Sequence, residues 1–258
     1  IRKAIQMPRS ALLFFTVAVL MVSSSLARAE NHVQAAIKTA TTPAHRMENG
    51  KKNWWQQRHE DKLALAKQGG WELVFLGDSI THAWENAGKQ TWKQYYGNRK
   101  AINLGFSGDR TEHVLWRLDN GELDGYTPKV AVIMIGTNNT GHRKDPPEAI
   151  AAGVKKIIER IRAKLPETKI LLLAIFPRSE KPTDPPRVNN DKANTLLAKL
   201  ADGEQVVFLD INDRLLMPDG RLSKEIMPDL LHPKQKGYAI WGEAIEPTLR
   251  KLLGETEG

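Results

Sequence analysis

The chain of 258 residues contains no cysteine, no nucleotide-binding glycine motif and no apolar stretch long enough to span a bilayer comfortably. Without cysteine there is no disulfide framework, no thiolate metal ligand, no cysteine nucleophile and no attachment point for a bacterial lipid anchor. No Gly-x-Gly-x-x-Gly or Gly-Lys-Ser/Thr follows an apolar run, which argues against dinucleotide and P-loop nucleotide binding. The remaining composition, 41% hydrophobic and 26% charged, is typical of one α/β domain or at most two small ones.

Acidic residues are absent from the first 29 positions, which carry four basic side chains. A short apolar run from Ala11 to Val22 follows the basic start, and Ala27-Arg28-Ala29 matches a small-x-small cleavage site. This order predicts a secretory signal peptide over residues 1–29 and an exported protein. The periplasm and the external medium both remain open, and an uncleaved membrane anchor is the alternative interpretation.

Half of the net positive charge lies in that segment. The whole chain has a formal charge of +8, whereas residues 30–258 hold 34 basic and 30 acidic side chains, a charge of +4. The basic balance is therefore mainly a targeting feature. We predict no nucleic-acid partner and no stable membrane anchor after signal cleavage.

Short apolar runs alternate with amphipathic segments over residues 51–258. Residues 30–50 are polar and weakly patterned, which predicts a mobile lead-in, and a helix is predicted over Trp54–Gln68. Further helices are predicted after Pro146-Pro147 and over Lys234–Leu253. Each apolar run is apolar nearly throughout, as in parallel strands covered on both faces; the runs are 71–76, 101–104, 130–135, 170–175 and 206–209. This alternation predicts one three-layer α/β/α domain with a doubly wound parallel sheet.

Polar or glycine-bearing segments follow the first three strands, and another comes after the fifth. Because ligands bind beyond the carboxyl ends of the strands in open parallel sheets, we expect these segments to meet at one rim. They are Gly77-Asp78-Ser79-Ile80, Gly105-Phe106-Ser107-Gly108-Asp109, Gly136-Thr137-Asn138-Asn139 and Asp229-Leu230-Leu231-His232.

The residue types in these segments suit nucleophilic catalysis. Ser79 falls where a strand turns into a helix, and a serine hydroxyl needs a base within about 3 Å to become a nucleophile. His232 is the natural base, and Asp229 is placed to orient its imidazole. The backbone N–H groups of Ser79 and Gly108 and the side-chain amide of Asn138 are the candidate oxyanion donors.

Each segment also has a simpler interpretation. Gly-Asp-Ser is usually a turn, Gly-Thr-Asn-Asn is usually a helix cap, and Asp-x-x-His suits a surface pair or half of a metal site. A metal-dependent phosphohydrolase using Asp78, Asp109, Asp229 and His232 is a further alternative, although His232 has no second histidine at helical or hairpin spacing.

Other polar and aromatic residues are assigned structural roles. Arg110 and Arg178 are expected to be solvated or ion-paired rather than in contact with substrate. Trp54 and Trp55 suit either sugar stacking or core packing. His82, His113 and His142 are expected on helix or loop surfaces, away from the catalytic base.

The motifs resemble those of the SGNH or GDSL hydrolases, in particular the alpha subunits of intracellular platelet-activating-factor acetylhydrolase and their bacterial relatives. The likeness covers residues 50–253. Its SGNH blocks correspond to Ser79, Gly108, Asn138 and His232, with Asp229 as the third triad member. Beyond the four segments above, it rests on His113-Val114-Leu115-Trp116-Arg117-Leu118, Asn120-Gly121-Glu122-Leu123 and Pro177-Arg178-Ser179-Glu180-Lys181-Pro182.

The resemblance implies a flavodoxin-like five-stranded parallel sheet in the order 2-1-3-4-5 and a serine esterase that needs no metal or other cofactor. It implies short acyl groups, acetyl above all, on a small-molecule or glycan ester. Ile80 replaces the Leu of Gly-Asp-Ser-Leu, and we expect Ile80 and Leu231 to shape the acyl pocket. The sequence does not decide between a monomer and a homodimer. A catalytically silent carbohydrate-binding or scaffold protein on the same fold is the alternative function.

Overall fold

The computed structural model describes residues 27–46 and 53–255, and within them five strands form one parallel sheet. The strands are β1 (Leu73–Gly77), β2 (Ala101–Gly105), β3 (Val130–Met134), β4 (Lys169–Leu173) and β5 (Val206–Leu209). Their order across the sheet is β2-β1-β3-β4-β5. Both the five predicted strands and the 2-1-3-4-5 order are therefore confirmed.

Helices connect the strands and cover both faces of the sheet. They are α1 (27–41), α2 (Trp54–Ala66), α3 (Ser79–His82), α4 (Lys89–Tyr96), α5 (Thr111–Asp119), α6 (Pro147–Lys164), α7 (Pro185–Leu197) and α8 (Gln235–Leu253). Shorter helical turns occur at Ala83–Glu85, Asn139–Arg143, Ala198–Leu200 and Asn212–Leu215. The helices predicted to start near Trp54, Pro147 and Lys234 begin within one residue of those positions.

Two hydrophobic cores lie on opposite faces of the sheet, because successive side chains of a strand point to opposite sides. In β1, Val74 and Leu76 face the core formed mainly with α5, α6 and α7. Leu73 and Phe75 face the second core, formed mainly with α4 and α8. The strands are apolar throughout because both of their faces are buried. This arrangement gives the three-layer α/β/α architecture.

The N-terminal segment predicted as a mobile lead-in contains a helix, and residues 47–50 of that segment lie outside the described residues. Residues 27–41 are helical, and the end of this helix packs against the domain: Ala40 is fully buried, and its carbonyl accepts a hydrogen bond from the Thr111 hydroxyl at 2.9 Å. The N–H of Ala44 then donates to the carbonyl of Glu112 at 3.0 Å. The sequence pattern did not indicate this helix because α1 is mostly exposed and has no wide apolar stripe, although its alanine-rich sequence favours a helix.

The predicted signal peptide lies outside the described residues except for positions 27–29, which belong to α1. Among residues 27–46 and 53–255, no helix is both long enough and apolar enough to cross a membrane.

Candidate active site

Ser79 begins α3 directly after β1, the central strand of the three that carry the first motifs. Asp78 caps this short helix by accepting a hydrogen bond from the N–H of Ile80 at 3.0 Å. Two glycines allow the turn to lie close to its neighbours. A Cβ atom on Gly77 would lie 2.5 Å from the carbonyl oxygen of Met134, and one on Gly105 would lie 2.5 Å from the backbone of Thr81. The backbone packing thus fixes the position of Ser79.

Ser79, His232 and Asp229 form a continuous hydrogen-bonded series. The Ser79 Oγ lies 2.9 Å from His232 Nε2, and His232 Nδ1 lies 2.6 Å from Asp229 Oδ2. Ser79 and His232 are half-buried, whereas Asp229 is exposed. This is the arrangement in which a histidine can remove the proton of a serine hydroxyl while a carboxylate orients the ring.

The loop that carries His232 is held by its own backbone. Asp229 Oδ1 accepts the N–H of His232 at 2.7 Å and that of Leu231 at 3.1 Å. Leu230 adopts a left-handed conformation (φ 59°), and so does Ser179 (φ 66°), whose N–H donates to the Leu230 carbonyl at 2.9 Å. Partial burial acts to raise the pKa of Asp229, but the hydrogen bonds from His232 outweigh it and lower the pKa below its usual value. Asp229 is therefore favoured as the ionised partner of His232.

The candidate oxyanion donors come from the two strands that flank β1. Gly108 follows β2 and has a left-handed backbone (φ 78°), which glycine adopts without strain. Asn138 follows β3 on the other side, and its side-chain Nδ2 donates to the carbonyl of Asp109 at 3.0 Å. An asparagine amide has two hydrogens, so this bond orients Asn138 and leaves the second hydrogen for another acceptor. The sheet order thus places both loops beside the loop of Ser79.

A buried ion pair supports the loop of Gly108. Asp109, the next residue, accepts hydrogen bonds from Trp55 Nε1 at 2.6 Å and from Arg117 Nε at 2.9 Å. Arg117 also pairs with Glu122, and all three charged side chains are completely buried. Trp55 is likewise fully buried, whereas Trp54 is 42% exposed, so only Trp54 remains available for stacking against a ligand.

The two residues expected to shape the acyl pocket lie in different environments. Ile80 is 1% exposed and belongs to the hydrophobic core under α8, where its carbonyl accepts the Tyr238 hydroxyl at 2.6 Å. The structure thus places the Ile80 side chain in this core directly after Ser79, and its role in shaping the acyl pocket stays a prediction. Leu231 lines a cavity of about 410 Å³ together with Arg178 and Asp229.

For the other histidines and two arginines, the environments expected from the sequence match the structure only in part. His113 is buried in contact with the ring of Trp55 rather than on the surface, and its Nδ1 accepts the N–H of Arg110 at 3.1 Å at the start of α5. His82 is half-buried against the hydroxyl of Ser107. Arg110 is ion-paired with Glu112 at 2.6 Å, as expected.

Arg178 departs from the expectation. Among residues 27–46 and 53–255, no carboxylate lies within 4.0 Å of its guanidinium, which instead donates to the Thr137 carbonyl at 2.5 Å. Arg46 lies beside the site, which the sequence did not predict: its Nη1 donates to the Ser107 carbonyl at 2.5 Å, next to Gly108. No local pattern marks Arg46, because only the packing of 40–46 against α5 brings it there.

The ligand set considered for a phosphohydrolase is not assembled. Asp78 caps α3, Asp109 is paired with Arg117, and Asp229 is bonded to His232. Within the part of the chain that the structure describes, no group of three or more His, Asp or Glu side chains is placed to hold a metal ion.

Comparisons with known proteins identify the family of the chain. Residues 75–240 match the GDSL-like lipase/acylhydrolase family. The alpha1 subunit of platelet-activating factor acetylhydrolase IB from Pongo abelii is 35% identical over 205 residues, which cover 79% of this chain and 86% of that protein.

Two solved structures share the fold. A GDSL-like lipase from Bacteroides thetaiotaomicron has a TM-score of 0.59 at 21% identity, covering 77% of this chain and 98% of its own. A catalytic mutant of an acetylxylan esterase from Geobacillus stearothermophilus has a TM-score of 0.56 at 18% identity, covering 73% and 96% respectively. The architecture is therefore that of the SGNH hydrolases.

Protonation of the buried His113 opposes folding. Burial lowers its pKa from 6.5 to about 3, so the unfolded chain binds a proton between these values that the folded protein does not bind. The contribution of His113 to the free energy of unfolding therefore falls as the pH drops through this window. We expect His113→Asn, whose side-chain oxygen replaces Nδ1 as an acceptor, to lose less thermal stability than the wild type between about pH 7 and pH 5. Circular dichroism melting at each pH measures this difference, and identical pH dependence in both proteins contradicts the lowered pKa.

Proposed function

This chain belongs to the GDSL-like lipase/acylhydrolase family and is a carboxylic ester hydrolase, and from that premise we propose that Ser79, His232 and Asp229 are its catalytic triad. The observation that carries the proposal is the pair of hydrogen bonds at 2.9 Å and 2.6 Å that links the three side chains. The reaction is the hydrolysis of an ester through an acyl-serine intermediate.

Acylation of Ser79 uses these two hydrogen bonds. As the Ser79 Oγ attacks the ester carbonyl, its proton passes to His232 Nε2, and Asp229 stabilises the resulting imidazolium. When the tetrahedral intermediate collapses, the ester C–O bond breaks and the proton on Nε2 passes to the departing alcohol oxygen. Water then attacks the acyl-serine with His232 as base, which releases the carboxylic acid and restores the Ser79 hydroxyl.

The negative charge on the tetrahedral oxygen is stabilised by donors from three loops. We assign this role to the N–H groups of Ser79 and Gly108 and to the amide of Asn138. Ser79 is the first residue of a helix, where the N–H has no intrahelical acceptor. Because Gly108 and Asn138 are fixed through Asp109, these donors are held in place before the substrate arrives. Every group in this mechanism belongs to the chain, so the proposal includes no cofactor.

The preferred acyl group in this proposal is acetyl or another short chain. Two relatives support it by name, the acetylhydrolase subunit from Pongo abelii and the acetylxylan esterase from Geobacillus stearothermophilus. The substrate is a small-molecule or glycan ester.

We further propose that the enzyme acts outside the cytoplasm. The support is in the sequence: a basic start without acidic residues, the apolar run from Ala11 to Val22, and Ala27-Arg28-Ala29.

Hydrolysis of p-nitrophenyl acetate and p-nitrophenyl octanoate by the wild type and Ser79→Ala tests the triad and the acyl preference together. We expect the wild type to prefer the acetate, and we expect Ser79→Ala to lose nearly all turnover because the nucleophile is gone. Thr195→Ala, which removes one exposed hydroxyl from α7, is the matched control and should retain wild-type turnover. Unchanged melting temperatures show that the folds are intact.

Each result has a defined meaning. An active Ser79→Ala protein contradicts the mechanism, and a preference for octanoate moves the substrate class to longer acyl groups. If the wild type cleaves neither ester, a silent binding protein on this fold becomes the better explanation.

Asn138→Ala in the same assay should lower kcat by about 10²–10³-fold, the usual effect of removing one oxyanion donor.

Export is tested by expressing the full chain in a Gram-negative host and fractionating the cells. We expect a protein shortened at its N-terminus in the periplasm or the medium, and we expect a variant that lacks residues 1–29 to stay in the cytoplasm. Retention of the uncleaved full chain in the cytoplasm contradicts export.

A further inference from the structure

Arg58 in α2 connects the segment that carries Ser79 to the segment that carries Gly108. Its Nη1 and Nη2 donate to the two carboxylate oxygens of Glu85 at 2.9 and 2.7 Å, and its Nε donates to the Gly105 carbonyl at 2.9 Å. Glu85 ends the helical turn that follows α3, the helix that Ser79 begins. Gly105 ends β2, three residues before Gly108. One guanidinium therefore bridges the segment of the proposed nucleophile and the segment of an assigned oxyanion donor.

The two segments that Arg58 bridges also contact each other directly. Asn103 Nδ2 in β2 donates to the Thr81 carbonyl in α3 at 3.0 Å. In the loop after β2, the Ser107 Oγ lies 3.0 Å from His82 Nδ1 at the end of α3. Because α3 and this loop pack against each other, a displacement of either one changes the distance between the proposed nucleophile and the oxyanion donor.

The guanidinium of Arg58 is held in both position and orientation. The side chain is 13% exposed, and its Cζ lies 5.1 Å from the centre of the Phe106 ring, which belongs to the same loop after β2. A guanidinium presents its donors in one rigid plane, so two parallel bonds to a carboxylate and a third bond to a carbonyl fix its orientation. Arg58 therefore restricts the relative movement of the two segments.

Lys62 binds the same carboxylate without completing the bridge. Its Nζ donates to Glu85 Oε1 at 2.8 Å, and within the described residues its side chain donates to Glu85 alone. Burial acts to raise the pKa of Glu85, but the bonds from Arg58 and Lys62 outweigh it and lower the pKa to about 2. Glu85 is therefore an anion at the pH of an esterase assay, where it binds both cations.

We infer that Arg58 is a positioning residue for the esterase reaction. By bridging Glu85 and the Gly105 carbonyl, it fixes the Gly108 N–H relative to the Ser79 hydroxyl. This inference rests on the proposed function, and Arg58 itself precedes the region matched to the family. An oxyanion donor acts on charge that forms only in the transition state, so displacing it lowers kcat and leaves KM nearly unchanged.

Hydrolysis of p-nitrophenyl acetate by Arg58→Gln tests this role when turnover is expressed per active site. Titration to completion with a fluorophosphonate probe counts the competent sites, so a loss of folded protein does not change the measured kcat. We expect kcat to fall by about tenfold or more, because a displacement of roughly 1 Å at an active site costs up to about 10²-fold. The matched control is Lys62→Gln, which leaves the Arg58 bridge in place and should retain the wild-type kcat.

A second variant, Glu85→Ala, breaks the same bridge from its other end. We expect its kcat per site to fall in the same direction as that of Arg58→Gln. The double variant Arg58→Gln/Glu85→Ala should lose little more than Arg58→Gln alone, because both residues act through one bridge.

Three results would overturn the inference. A purely structural Arg58 would change the melting temperature or the number of titrated sites and leave kcat per site within about twofold of the wild type. Losses that add in the double variant would show that Arg58 and Glu85 act separately. An equal loss in Lys62→Gln would show that charge beside Glu85, rather than the bridge, supports turnover.

Failure of the proposed function gives a different result. In that case the wild type neither hydrolyses the ester nor reacts with the probe at Ser79, and the role of Arg58 falls with it. Failure of the positioning role alone leaves a wild type that is active and labelled at Ser79.

Discussion

Arg117 is completely buried, and its bonds to Asp109 and Glu122 hold together the part of the molecule that presents Gly108. Asp109 also accepts the indole N–H of Trp55, while its carbonyl accepts the amide of Asn138. The buried ion pair of Arg117 and Asp109 therefore connects α2, α5 and the loops after β2 and β3. Leaving a buried charge unpaired costs about 3–5 kcal/mol, so this arrangement tolerates little displacement. Gly108 and Asn138, the assigned oxyanion donors connected through Asp109, are therefore held in fixed positions.

The proposed acid–base side of the site, His232 and Asp229, is held differently. His232 and Asp229 lie on a loop at the surface, and their side chains are 40% and 55% exposed. Burial does not hold this loop. Local backbone hydrogen bonds and the left-handed conformations of Leu230 and Ser179 hold it instead. Ser79 lies between the loops of Gly108 and Asn138 because β1 runs between β2 and β3, and its Oγ lies 2.9 Å from His232 Nε2. The proposed oxyanion donors are thus rigidly held, whereas the proposed proton-transfer groups, His232 and Asp229, are more accessible to solvent. This arrangement suits a reaction in which an alcohol must leave the site and water must enter it.

The sequence predicted the features that depend on local pattern. Apolar runs gave the strands, and the order of motifs after those strands indicated which side chains would meet at the sheet edge. Features that depend on distant contacts were not predictable. Ile80 is buried in the core under α8, where its carbonyl accepts the Tyr238 hydroxyl, and His113 is buried in contact with the ring of Trp55. The position of residues 40–46, and with it that of Arg46, depends on contacts with the start of α5.

The central claim is that His232 activates Ser79 as a nucleophile. Its most direct test is labelling with a fluorophosphonate probe, followed by peptide mass spectrometry, in the wild type and in His232→Ala. The account predicts a single adduct on Ser79 in the wild type and almost none in His232→Ala, because only an activated serine reacts with the probe. Labelling at another residue, or equal labelling of Ser79 in both proteins, would contradict it.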